Sequence, residues 1–92
     1  MRVELTHIAD ILKNRLGLTE QIRAFAFGSS VDTNKRPNDI DIVIIYVDPL
    51  VPQKVRDILE DVTYMPIDLL FLTPEEELET DFIRKQKCIS IF

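Results

Sequence analysis

At 92 residues the chain has the size of one domain, and a single domain over 1–92 is the expectation. Apolar residues make up 46% of it, with five prolines and two glycines, which points to a globular sequence and excludes a disordered tail. The net charge of −5, from 16 acidic against 11 basic residues, argues against a protein that coats DNA or RNA, because such binding draws its energy from neutralising phosphates. A mononucleotide stays open as a ligand, since a bound cation reverses the local field.

The elements alternate in type along the chain. Val3, Leu5, Ile8, Ile11, Leu12 and Leu16 recur at helical spacing, and Gly17 is placed to stop that helix. Arg23 to Phe27 reads as a strand that breaks at Gly28, and Asp39 to Val47 is the clearest strand. Pro49 and Pro52 lead into a second helical face of Val55, Ile58, Leu59 and Val62. Ile67 to Leu72 is a third strand. Thr73-Pro74-Glu75-Glu76 has the form of a capping box opening a helix that runs through Leu78, Phe82 and Ile83. Cys88 to Phe92 is placed to add a short edge strand. The expectation is an α/β fold, a small mixed sheet of three to four strands flanked by helices. Strand order does not follow from the pattern.

The single cysteine, Cys88, forms no internal disulfide and fits a reducing compartment. No apolar run is long enough to span a membrane, and Met1-Arg2-Val3-Glu4 lacks the form of a secretion signal, so the expected location is cytoplasmic.

Chemistry concentrates at three places. In Asp39-Ile40-Asp41-Ile42-Val43-Ile44, period-2 alternation puts Asp39 and Asp41 on one face and the isoleucines on the other. With Cα atoms about 6.5–7 Å apart along a strand the two carboxylates repel, and a divalent ion with oxygen ligands, magnesium or manganese, resolves that conflict. A pair of solvent-facing acids at a strand entrance is the alternative. Asp68 stands inside Ile67-Asp68-Leu69-Leu70-Phe71-Leu72, where a buried ionised side chain needs a partner or a metal, or else the position faces water. Phe25-Ala26-Phe27-Gly28-Ser29-Ser30 ends a strand in a small polar turn, whose N–H and hydroxyl groups suit a phosphate.

Taken together, Phe27-Gly28-Ser29-Ser30, a polar loop and then Asn38-Asp39-Ile40-Asp41-Ile42 resemble the signature of minimal nucleotidyltransferases of the DNA-polymerase-β superfamily. Pro66-Ile67-Asp68-Leu69-Leu70 is similar to the strand that carries that family's third carboxylate, and the resemblance covers nearly the whole chain. The chain departs from the family in Thr33-Asn34-Lys35-Arg36-Pro37, a short loop without the frequent glycine, and in Asn38, where serine is frequent. The resemblance implies a polymerase-β palm-like nucleotidyltransferase fold. It further implies that Asp39, Asp41 and Asp68 are the catalytic, metal-binding residues, holding two Mg2+ or Mn2+ ions. Gly28, Ser29 and Ser30 would bind the triphosphate of ATP or another nucleoside triphosphate. An acceptor oxygen would attack the α-phosphorus and release pyrophosphate. The partner the resemblance implies is a separate helical protein of the HEPN type, in a toxin–antitoxin-like pair in which this chain transfers AMP. A homo-oligomer is a further expectation for so small a domain. Two other readings compete: a catalytically silent interaction module of the same fold, and a structural metal-binding domain.

Overall fold

A strand that is apolar at nearly every position needs cover on both faces, and Ile40–Ile45 has it. The computed structural model describes residues 3–17, 21–28, 40–61 and 66–92. Its elements are α1 (Val3–Leu16), β1 (Arg23–Phe27), β2 (Ile40–Ile45), α2 (Val51–Glu60), β3 (Ile67–Leu72), α3 (Pro74–Thr80), α4 (Phe82–Lys85) and β4 (Ile89–Ser90). On one side Ile40, Ile42 and Ile44 of β2 pack with Leu5, Ile8 and Leu12 of α1 and with Val51, Val55 and Leu59 of α2. Ala24 and Ala26 of β1 point to the same side and are fully buried. On the other side Val43 and Ile45 join Phe25 in a smaller cluster, covered by half-buried Phe82, Ile83 and Cys88.

The four strands form one mixed sheet in the order β3-β2-β1-β4. β1 runs antiparallel to both β2 and β4, whereas β3 runs parallel to β2. A parallel pair needs a crossover, and α2 supplies it. The result is the expected small α/β architecture with helices flanking a mixed sheet. Because β1 is antiparallel to its neighbour, the C-terminal end of β1 and the N-terminal ends of β2 and β3 share one end of the sheet.

Several predicted boundaries shift, and the edge strand expected from Cys88 to Phe92 is only Ile89–Ser90. The strand expected from Asp39 to Val47 is observed as Ile40–Ile45, with Asp39 outside the described residues. The helix expected to run from Pro74 through Ile83 ends at Thr80. Its start is as read: Glu76 N–H donates to Thr73 Oγ1 (3.2 Å) and Thr73 N–H donates to Glu76 Oε1 (2.9 Å). Asp81 then takes a left-handed conformation (φ 51°), which aspartate tolerates better than most residues, and α4 begins. Hydrophobic burial explains the break. α3 buries no residue and leaves Leu78 80% exposed, while the turn at Asp81 brings Phe82 and Ile83 onto the sheet.

Candidate active site

The site is built where β1 ends beside the start of β2. Phe27, the last residue of β1, is in register with Asp41. The chain then turns at Gly28 with φ 64°, a region that L side chains rarely adopt. A Cβ on Gly28 would lie 2.6 Å from Asp41 Oδ2, so the missing side chain is the space that the Asp41 carboxylate uses. Two residues singled out in separate parts of the sequence therefore touch.

The third comes in from the other side. Asp68 is in register with Asp41 across the parallel β2–β3 pair. Residues in register on adjacent strands point to the same face, with their backbones about 4.8 Å apart. Gly28, Asp41 and Asp68 thus form a row across one end of the sheet. Asp41 is half-buried and Asp68 is exposed. The exposure decides between the two readings of Asp68: water reaches it, so burial alone makes no demand for a counter-ion. What remains is the lateral pairing, since like charges opposite one another on neighbouring strands destabilise the sheet.

Ser29, Ser30 and Asp39, together with Lys35 and Arg36 of the loop, lie outside the described residues. Among the described residues no group of three or more His, Cys, Asp or Glu gathers as a metal site. Asp41 and Asp68 supply carboxylate oxygens on one face beside an open turn, a donor set that fits a hard divalent cation rather than a soft one.

Phe82, which the helical pattern places only as part of a helix, reaches the site. Its ring meets Phe27 edge-on, with centroids 5.1 Å apart and planes at 89°. α4 is thereby tied to the residue before Gly28. Only the recurrence of aromatics in Phe25, Phe27 and Phe82 hinted at such a contact. A cleft of about 590 Å³ lined by Arg23, Phe25, Ile45 and Leu78 lies at the opposite end of β1 and β2, four residues along from Asp41, and is separate from this row.

The fold and this row of residues define a class of protein. The family model described as the nucleotidyltransferase domain matches residues 5–91, so the chain belongs to the nucleotidyltransferase domain family. No curated protein matches the chain. Transfer of a nucleotidyl group is the general activity of that family. No helix among the described residues is long and apolar enough to cross a membrane.

Proposed function

We propose that this chain is a metal-dependent nucleotidyltransferase that moves AMP from ATP to a hydroxyl group of a separate, helical protein. The single observation that carries the reading is the row Gly28–Asp41–Asp68: a glycine packed against one carboxylate, and a second carboxylate in register beside it. Asp41 and Asp68, with Asp39 two residues before Asp41 in the sequence, would hold the metal ions. Divalent ions held there supply charge neutralisation for the triphosphate and for the oxygens that attack and leave.

The protein's own groups have distinct tasks. The Gly28 turn lets backbone approach a phosphate closely, with Ser29 and Ser30 as hydroxyl donors. Asp41, half-buried on a strand whose other residues are all buried, stays fixed while Asp68, exposed, faces the arriving acceptor. The acceptor oxygen forms a bond to the α-phosphorus as the bond to the β-phosphate oxygen breaks, and pyrophosphate leaves with that electron pair. The hydroxyl proton passes to Asp68 and from it to water.

The test is a thermal-shift titration with ATP, GTP, CTP and UTP, each with and without Mg2+ or Mn2+. It is run on the native chain and on Asp41→Asn. Saturation at about 100 times the dissociation constant stabilises a fold by roughly 2.7 kcal/mol. The expected result is stabilisation by ATP with metal that vanishes in the variant. Absence of a shift with every pair supports a silent interaction module instead.

A further inference from the structure

We propose that the free edge of β3 is the acceptor site: an extended polypeptide segment adds there as an antiparallel strand and presents a Ser, Thr or Tyr hydroxyl beside Asp68. This rests on the transferase reading above and names its substrate class. Among the described residues β3 is the last strand on its side of the sheet. Ile40 N–H donates to Pro66 O at 2.9 Å and Tyr46 N–H to Leu72 O at 3.0 Å, so the even-numbered positions of β3 direct their backbone groups at β2. The N–H and C=O groups of Ile67, Leu69 and Phe71 therefore point outward, and the polypeptide backbone is the chemistry that matches them. Nothing within the strand guards this edge: Ile67–Leu72 has no proline, lysine or bulge, and Asp68 is its one charge.

The position of Asp68 selects what docks. Because its own backbone faces β2, the residue opposite it on an added antiparallel strand falls in a non-hydrogen-bonded pair. In such pairs the Cα atoms are about 4.5 Å apart and the side chains are closest. A hydroxyl residue there extends the row Gly28–Asp41–Asp68 by one strand, with the nucleotide on one flank of Asp68 and the acceptor on the other. Leu70, 37% exposed, and half-buried Leu72 lie on the same face two and four residues on. They favour an acceptor with apolar side chains two and four residues before the hydroxyl residue. A second copy of this chain is a poor occupant. Two-fold pairing through Leu69 would set the two Asp68 carboxylates diagonally across one face, in a chain whose net charge is already −5.

The probe is the peptide acetyl-Val-Gln-Val-Gln-Tyr-Gln-amide, with the same peptide N-methylated at its glutamines and tyrosinamide as comparisons. Each is incubated with the native chain, Mg2+ and α-labelled ATP. The glutamine N–H groups are those that would meet the β3 edge. The expected result is labelled tyrosine in the unmodified peptide, lower by on the order of tenfold or more after methylation. Hydrogen exchange should slow at Leu69 and Phe71 in the presence of the unmodified peptide. Equal labelling of all three compounds overturns the edge assignment. So does metal-dependent ATP binding with no labelled peptide. Failure to bind ATP at all is a different result: it removes the transferase reading, and this proposal with it.

Discussion

Gly28 leaves the space that the Asp41 carboxylate fills, and a methyl group there would come within 2.6 Å of Oδ2. Alanine at this position meets both that contact and a positive φ, a backbone strain of about 1–3 kcal/mol for residues other than glycine. Gly28→Ala is expected to lower the melting temperature by roughly 4–8 °C for each kcal/mol lost. It should also abolish stabilisation by nucleotide and metal, because the carboxylate must move. A calorimetric melt with and without Mg2+ and ATP reads both effects. Unchanged ligand stabilisation would show that Asp41 does not need its present position.

Asp68 gives the opposite signature. It is exposed, so Asp68→Asn should change stability by no more than about 0.5 kcal/mol. Loss of one charged group facing the reacting oxygens is expected to slow transfer by roughly 100-fold or more. Denaturant melts and a transfer assay on the same preparation separate the two. A variant that is both stable and fully active would remove Asp68 from the mechanism.

Phe82 holds α4 against Phe27 at the residue before the Gly28 turn. An aromatic pair of this geometry contributes about 0.5–1.5 kcal/mol beyond the area it buries. Phe82→Ala should therefore destabilise the chain and also weaken nucleotide binding, whereas Phe82→Leu should retain more of both. Equal nucleotide affinity in Phe82→Ala and the native chain, measured by titration calorimetry, would limit the residue to packing.

Thr73 and Glu76 close the start of α3 reciprocally. With no buried residue, α3 depends on that cap more than most helices do. Thr73→Ala is expected to cost about 0.5–2 kcal/mol. Faster amide exchange confined to residues 76–80 would locate the loss, and nucleotide-induced stabilisation should remain.

Burial, and secondarily the negative charge of Glu77, raises the Cys88 thiol above its ordinary value. The fold therefore favours the neutral thiol. Its contribution is complete below the unfolded-state value and is lost as pH rises through the higher folded-state value. The native chain should lose stability relative to Cys88→Ala as the pH climbs past the ordinary thiol range. Parallel melting curves for the two proteins across alkaline pH would contradict this.

Much of this architecture is legible in the amino-acid order because its signals are local. Phe25-Ala26-Phe27 stops at a glycine, Ile40 to Ile45 is too apolar for anything but an interior strand, and Thr73 to Glu76 spells a cap. The lateral match of Asp41 with Asp68 is not local. It depends on how α2 returns the chain to the sheet, and no periodicity in either strand records that distance. The break at Asp81 is hidden for another reason: residues 75–83 carry continuous helix-compatible chemistry, and only the pull of the sheet on Phe82 and Ile83 ends the helix. Exposure of Asp68 was equally unreadable, because a hydrophobic run looks the same in the middle of a sheet and at its margin.

The two acids in register are not equally anchored. Every residue of β2 except Asp41 is buried, and no residue of β3 is. Among the described residues β3 has one neighbouring strand, so it opens locally at a lower free energy than β2, which is paired on both sides. When it peels away, Asp68 goes with it and Asp41 stays on the intact core. The site thus has a fault line through its middle, and warming should silence this protein several degrees before it unfolds.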